Sequence, residues 1–176
     1  MVSNTTGHSN VAVGAVCLDA NTTGQDLVAV GYNALGANTT ADANVAVGTS
    51  ALGLNTTGEN NTGIGRLALY NNTTGTANTA VGREAGYNLT TGIQNTLIGT
   101  DAGAEITAGY YNTCVGNNSG QDITNGYHNV AIGHSTDTNN VDRSITIGTD
   151  LTSKGSDYIT FGRDSVGVVY LSLIHI

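Results

Sequence analysis

Short apolar phrases that end in glycine recur along this chain at a constant interval. "NVAVG", "NTAVG", "NTLIG", "NTCVG" and "NVAIG" share one pattern, in which asparagine comes first and Val or Ile precedes the glycine. The final glycines follow one another at a 17-residue spacing, at Gly14, Gly31, Gly48, Gly65, Gly82, Gly99, Gly116 and Gly133. A fixed interval of this length indicates an internal repeat in which each unit is one structural coil.

Other positions of the repeat keep the same spacing. One column is threonine in every unit, and the residue two places later is glycine except at Ala41; the asparagine that opens each phrase is replaced once, by Leu27. β-Branched residues, Asn and Gly are poor helix formers, and "NVAV" is typical of a strand. The "NTTG" quartets indicate corners in which glycine adopts positive φ. The sequence therefore predicts an all-β, single-stranded β-solenoid with 17-residue coils.

Equivalent residues of successive coils stack directly in a solenoid, and this gives each column an expected role. The Val and Ile residues are expected to fill the interior, and each glycine to stand where a Cβ atom would clash. The recurring amides are expected to form a side-chain ladder, built by Asn44, Asn61, Asn78, Asn95, Asn112 and Asn129. The alternate face is small and apolar, and we expect it to pack against another copy of the chain; it carries Ala12, Ala29, Ala46, Gly63, Ala80, Leu97, Cys114 and Ala131.

The spacing shortens after Gly133. The phrase "SITIG" ends fifteen positions after Gly133, and "YITFG" ends fourteen positions after that. We therefore divide the chain into the 17-residue-repeat solenoid, 1–142, and a β segment of shorter coils, 143–170, that leads to a missing C-terminal region. Residues 171–176, "LSLIHI", fit no column, and their back-translation matches the start of a transposon end used in DNA library preparation. They are predicted to be a sequencing-adapter artefact.

Composition excludes several classes of function. The 176 residues include only five Lys and Arg, and the net charge of −8 argues against a nucleic-acid partner. No apolar run is long enough to insert this segment into a membrane as a helix. Cys17 and Cys114 are expected to lie about six coils apart, too far for an intrachain disulfide. Interchain proximity at Cys114 is conceivable, because that residue belongs to the proposed packing face.

Candidate chemistry is sparse, and we predict no catalytic, cofactor-binding or metal site, and no enzymatic activity. Glu84 and Asp101 are coil neighbours, as are Glu105 and Asp122, but scattered acidic residues of this kind are typical of a solvated surface. The histidines lack metal-site spacing.

Tyrosine is more informative. Tyr110 and Tyr127 share one column and should stack, and Tyr111 and His128 follow them in the sequence. These four residues are the candidate receptor contact, with a ladder that only shields the corner as the alternative.

The threonine column raises ice binding as a further, weaker alternative. Ice-binding faces have two outward threonine columns at alternate positions of each strand. Here the doubled threonines, such as Thr22 and Thr23, are adjacent and should point to opposite sides.

The phrase N-x-A-[VI]-G, repeated once per coil between Thr- and Gly-containing corners, resembles the head repeats of trimeric autotransporter adhesins. It also resembles the related β-solenoid segments of bacteriophage tail fibres and tail spikes. The 17-residue coils and "TTG" corners resemble the phage type more closely, as does "ITFGRDSVGVVY" (159–170), which is similar to the stretch before the C-terminal chaperone of many tail fibres.

This resemblance implies left-handed parallel β-rolls in a homotrimer, located on a virion tail or a bacterial cell surface. It implies a host-recognition or structural role, with a cell-surface glycan or protein as receptor and no cofactor. A bacterial adhesin head that binds a host surface or matrix is the alternative.

Overall fold

The computed structural model describes residues 2–163 and 167–172, and these form one continuous sheet of 11 strands in sequence order. The strands are β1 Val11–Val13, β2 Val28–Val30, β3 Val45–Val47, β4 Thr62–Ile64, β5 Thr79–Val81, β6 Thr96–Ile98, β7 Thr113–Val115, β8 Val130–Ile132, β9 Ile145–Thr149, β10 Tyr158–Arg163 and β11 Gly167–Ser172. No helix of the described part of the chain is long and apolar enough to cross a membrane.

Strands β1 to β10 pair in parallel, each with its equivalent in the next coil. The partners keep the 17-residue spacing up to β8, as in the pair Val11 and Val28, and the predicted solenoid is confirmed. The offset falls to fifteen positions between Ala131 and Thr146 and to fourteen between Thr146 and Thr160. The ten parallel strands are separated by about nine coils. At a rise of about 4.8 Å per coil, these coils span about 43 Å along the axis. Strand β11 pairs antiparallel to β10 and reverses the chain at that end.

The direction in which the strand side chains point is opposite to the expectation from the sequence. The middle residue of each three-residue strand faces the interior, and Ala29, Ala46 and Leu97 are fully buried. The Val and Ile residues on either side of it face outward; Ile64 is 39% exposed and Ile98 is 40% exposed. The assignments of Val and Ile to the interior, and of the alanine face to a packing surface, are therefore wrong. Since Cys114 is also buried inside, it is not placed for interchain contact, and both cysteines are free.

A narrow interior explains this orientation. A Cβ atom on Gly63 would already lie 3.2 Å from the carbonyl oxygen of Ala68 and 3.4 Å from Leu52 Cγ. Space between the strand and the opposite wall therefore admits Ala together with one Leu, and it does not admit a β-branched residue facing that Leu. The larger outward side chains lie where no wall limits their size.

The buried volume is shared differently in successive coils, although the backbone is the same. The early coils combine a small strand residue with a leucine six residues later, as in Ala46 and Leu52. Where the strand carries Leu97, the position six residues later is Gly103, whose Cβ would lie 2.6 Å from Leu97 Cδ2. A leucine at one of these two positions thus faces a small residue at the other, so that the narrow interior is not overfilled.

The corner residues that have positive φ are not the ones that the sequence predicts. The glycines of the "NTTG" quartets, such as Gly24 and Gly58, do not have positive φ, so that expectation is wrong. They are glycines because a Cβ atom would overlap a neighbouring coil; on Gly24 it would lie 2.5 Å from the carbonyl oxygen of Ala41. Positive φ occurs instead at non-glycine residues of each coil, for example Asp26 and Leu35, with φ of 56° and 49°.

Side-chain hydrogen bonds connect the coils along the axis. In the main ladder, Asn78 Nδ2 donates to Asn61 Oδ1 at 3.1 Å and to the carbonyl oxygen of Gly92 at 2.8 Å. This buried ladder extends from Asn44 to Asn129, and its amides donate in the same way to a backbone carbonyl of the next corner. A second ladder joins Asn21, Asn38, Asn55 and Asn72. It ends where Leu89 takes the next position, and the buried Asn72 Oδ1 there has no hydrogen-bond partner.

Candidate receptor-contact site

The tyrosines predicted to share a column do stack at one corner of the solenoid. The rings of Tyr110 and Tyr127 are 5.0 Å apart and 2° from parallel, and the backbones of these residues form a parallel bridge. The rings of Tyr111 and His128 form a second stack, 4.8 Å apart and 11° from parallel. Both separations are close to the rise of one coil, so the rings stack along the solenoid axis.

The two stacks lie side by side and contact each other edge to face. Tyr110 is perpendicular to Tyr111 at 5.5 Å, and Tyr127 is perpendicular to His128 at 5.6 Å. Stacking along the axis covers the ring faces and leaves the ring edges, the phenol hydroxyls and the imidazole nitrogens at the surface. Tyr111 is 43% exposed. The cluster therefore offers hydrogen-bonding edges and not an open aromatic platform.

An arginine–aspartate pair extends the aromatic corner into the shorter coils. Arg143 donates through Nη1 to the Tyr127 hydroxyl at 3.2 Å, and its guanidinium carbon lies 6.0 Å from the Tyr127 ring centre. Asp157 accepts two hydrogen bonds from Arg143, from Nε at 2.7 Å and from Nη2 at 2.9 Å. This bidentate pair raises the pKa of the Arg143 guanidinium further above its already high value, chiefly through the side-chain hydrogen bonds. We define the aromatic corner as Tyr110, Tyr111, Tyr127, His128, Arg143 and Asp157.

The exposed column of this corner has a left-handed backbone throughout. Tyr111, His128 and Arg143 have φ of 57°, 57° and 53°. Equivalent residues in earlier coils have the same conformation with shorter side chains, for example Ala43, Ala77 and Gln94 with φ of 56°, 57° and 55°. A bulky side chain at positive φ is uncommon and costs backbone energy. Because this conformation recurs from coil to coil, the aromatic corner differs from the earlier coils in the size of its side chains and not in its backbone.

The other tyrosine pair is also stacked, but it has no such surroundings. Tyr70 and Tyr87 are 5.7 Å apart and 12° from parallel. Among the described residues, neither makes a further ring contact. This pair is therefore a natural comparison for the aromatic corner.

Of the acidic neighbours weighed as candidates for catalysis, Glu84 and Asp101 are tied into surface ion pairs. Arg83 bridges Glu84 and Asp101 at 2.8 and 2.7 Å, and Arg66 also contacts Glu84 at 2.9 Å. Glu105 accepts a hydrogen bond from Asn88 at 3.2 Å.

The histidines outside the aromatic corner that the structure describes make separate surface contacts. His8 contacts Ser9, and His134 pairs with Asp150 at 3.2 Å. In the described ranges, no three or more His, Cys, Asp or Glu residues are placed to hold a metal ion.

Threonine hydroxyls occupy two different environments. The first threonine of each corner pair bonds within the solenoid, as when Thr56 Oγ1 donates to the carbonyl oxygen of Thr73 at 3.0 Å. A separate outward column on strands β4 to β7, not noticed in the sequence, consists of Thr62, Thr79, Thr96 and Thr113. The neighbouring outward column holds Val or Ile. The strand face therefore has one of the two threonine columns that ice-binding faces have, and we do not propose ice binding.

Two parts of the surface were missed by sequence reasoning. Arg143 and Asp157 escaped notice because the shorter coils shift them off the 17-residue spacing, although the 15- and 14-residue steps would have aligned them with His128. The outward strand face was missed because the two faces of the strands were interchanged.

Comparisons with protein-family models, curated proteins and solved structures find no match for this chain. The geometry of the aromatic corner and of the outward strand face is therefore the basis for assigning a function.

Proposed function

We propose that this chain is a rigid, non-enzymatic segment of a bacteriophage tail fibre or spike that presents the aromatic corner to a cell-surface glycan or protein. The observation that carries the proposal is the concentration of large exposed side chains at one corner of an otherwise uniform stack of coils. A continuous parallel sheet supports the spacer role, since every coil is hydrogen-bonded to the next along the whole rod.

Receptor contact at the aromatic corner has a direct test. We expect the double variant Tyr111→Ala and His128→Ala to weaken binding to host cells about tenfold or more, because it removes the exposed ring edges. The substitution is compatible with the backbone, because Ala43 and Ala77 have the same left-handed conformation at equivalent positions. Binding of the labelled protein to cells, measured over a concentration series, gives the affinity.

The stacked pair Tyr70 and Tyr87 supplies the matched control. The variant Tyr70→Ala and Tyr87→Ala also removes one stacked pair, so it should cost similar stability and leave the affinity for cells unchanged. Unaltered binding by the Tyr111 and His128 variant, with its thermal unfolding unchanged, would refute the receptor role of this corner.

Self-association through the outward strand face is the second part of the proposal, and the homotrimer is the form that we propose. This face consists of two rows of uncharged side chains along ten strands: Val11, Val28, Val45, Thr62, Thr79, Thr96, Thr113, Val130, Ile145 and Ile159, and two residues after each, Val13, Val30, Val47, Ile64, Val81, Ile98, Val115, Ile132, Ile147 and Phe161. Roughly 40 Å² from each of these side chains gives about 800 Å² per copy, the size of a standard interface. The chain as a whole carries a net charge of −8, and copies would repel where acidic surfaces met. Because this face is uncharged, copies can approach on it without bringing like charges together.

Charge placed on the strand face should disrupt the assembly. We expect Ile64→Lys with Ile98→Lys to convert the oligomer to monomer, since lysines on each of the associating copies would be brought together without partners. Sedimentation velocity measures the change. Thr57→Lys with Thr91→Lys is the control, because these exposed corner threonines lie outside the strand face. A wild-type chain that sediments as a stable folded monomer would contradict this part of the proposal.

A further inference from the structure

The junction between the last 17-residue coil and the first shorter coil is held together differently from the rest of the rod. In a regular coil, backbone carbonyls of the next coil accept the corner N–H groups, as when Asn88 N–H donates to the carbonyl oxygen of Ala104 at 3.0 Å. The segment after Gly133 is shorter by two positions, because strand partners there are fifteen positions apart instead of seventeen. Some corner N–H groups of the preceding coil therefore lack the usual carbonyl partner.

Three side chains of the shorter segment accept corner N–H groups, and one of these contacts, at Asp142, repeats the regular contact of Gln25 N–H with Asp42 Oδ1. Asp122 N–H donates to Asp137 Oδ1 at 2.8 Å, and Tyr127 N–H donates to Asp142 Oδ1 at 3.2 Å. Between them, Asn140 Oδ1 accepts from the N–H groups of Thr124 and Asn125 at 2.9 and 3.3 Å. We define the junction as the contacts of Asp137, Asn140 and Asp142 with residues 122–127. Two of its three acceptors are ionisable.

One of these carboxyls lies against a second. Asp122 Oδ1 accepts a hydrogen bond from Thr138 N–H at 3.3 Å, so each aspartate caps backbone of the opposite coil. Because each carboxyl caps the backbone next to the other, the two carboxyl groups lie close together, and a proton shared between them removes their repulsion. Two carboxylates in this position would repel, and the two coils would be pushed apart at this corner.

The surroundings of Asp137 favour the protonated form of its carboxyl. Burial, followed by the hydrogen bond to Asp122, raises the pKa of Asp137 to about 7. The buried Cys114 thiol is the other titratable group acting on the pair, and burial raises its pKa to about 12, so it stays uncharged. Since the fold raises the pKa of Asp137, its proton stabilises the junction fully at acid pH, and that stabilisation is lost as the pH rises through about 7.

We propose that Asp122 and Asp137 form a proton-controlled joint, closed while they share a proton and loosened when both are ionised, which uncouples β9 to β11 from the regular coils. The joint belongs to the coil stack itself and does not depend on a receptor or a second copy of the chain.

Amide hydrogen exchange on the full chain tests the joint. With rates corrected for the intrinsic effect of pH, we expect protection of the amides of Asp122, Thr138 and nearby junction residues to fall about tenfold or more between pH 5.5 and pH 8.5. Each tenfold loss corresponds to about 1.4 kcal/mol of local opening free energy. Amides of β3 to β5 should keep the same protection at both values. Equal corrected protection of the junction at both pH values would overturn the proposal.

Single substitutions separate the carboxyl pair from a general effect of pH. Asp137→Asn keeps an oxygen for Asp122 N–H and cannot ionise, so the junction should stay protected at pH 8.5. Asp122→Asn should move the step to lower pH, because burial still raises the pKa of Asp137 and the neighbouring carboxyl no longer does. Asp42→Asn is the matched control, because Asp42 Oδ1 accepts Gln25 N–H at 2.8 Å in the same manner, and this variant should keep the wild-type pH dependence at the junction. An unshifted step near pH 7 in both Asp122→Asn and Asp137→Asn would show that the pair does not control the joint.

Discussion

Replacing Gly65 with alanine is expected to destabilise the solenoid by about 4 kcal/mol or more, although it adds one methyl group. Gly65 has φ of +132°, a conformation that L-residues with side chains rarely adopt. A Cβ atom there would also lie 2.6 Å from the carbonyl carbon of Gly82 and press on its oxygen. Because the obstacle is the backbone of the next coil, no rotamer change relieves it, and the two coils must separate. Denaturant unfolding at matched protein concentration measures the loss.

Gly63 lies two residues before Gly65 and gives the control within one coil. A Cβ on Gly63 would meet its nearest atom at 3.2 Å, and the equivalent position in neighbouring strands is Ala46 or Ala80. Gly63→Ala should therefore change stability by less than about 1 kcal/mol, with some gain from the reduced freedom of the unfolded chain. Comparable losses for Gly63→Ala and Gly65→Ala would contradict the assignment of the clash to the phrase-ending glycine.

The coil length and strand pairing were predictable because they depend only on spacing. Val11 and Val28 pair because they lie one full repeat apart, as Gly14 and Gly31 do. The inward face was not predictable in the same way. Alternation along a strand of three residues shows that Val45 and Ala46 face opposite sides, but not which side is inside. That choice is made by the width of the interior, which depends on the opposite wall and on residues such as Leu52.

The role of the corner glycines also needed three-dimensional information. A glycine in "NTTG" is compatible with a turn that needs positive φ and also with a close approach to a neighbouring coil. The sequence does not distinguish these two explanations. The two exceptions in the repeat fit the second explanation. Leu27 and Ala41 are 14 residues apart, the same separation at which Asn44 Nδ2 donates to the carbonyl oxygen of Gly58. The one unit without a ladder amide is thus the unit in which the corner it would contact has a side chain.

The aromatic corner was half predictable for a related reason. Tyr110 and Tyr127 follow the 17-residue spacing, so their stacking was visible in the sequence. Arg143 lies 16 residues after Tyr127, and its contact with the Tyr127 ring arises from the shortened coil. Sequence spacing identifies a column only while the coil length is constant, and side chains beyond the change must be placed by the structure.

Interrupting the main amide ladder in its middle is the second large effect expected, with Asn78→Leu lowering the free energy of unfolding by about 3 kcal/mol. Asn78 Oδ1 accepts hydrogen bonds from the N–H and Nδ2 groups of Asn95, each at 3.0 Å, and Asn78 Nδ2 donates to the carbonyl oxygen of Gly92. Leucine fits this column by size, as Leu27 shows, so the cost arises from lost hydrogen bonds and not from a clash. The N–H of Asn95 and the carbonyl of Gly92 would be left without these partners at positions closed to water.

The effect should be local along the rod, because each coil contacts only its neighbours. Hydrogen exchange should therefore show the greatest loss of protection in β5 and β6, with β2 nearly unchanged. Asn117→Leu is the control, since Asn117 is exposed and its side chain makes, within the described part of the chain, a single hydrogen bond, of 3.4 Å, to the carbonyl oxygen of Thr100. We expect that variant to lose less than about 0.5 kcal/mol. If Asn78→Leu were as stable as Asn117→Leu, the ladder would be a by-product of stacking, and the apolar interior alone would hold the coils together.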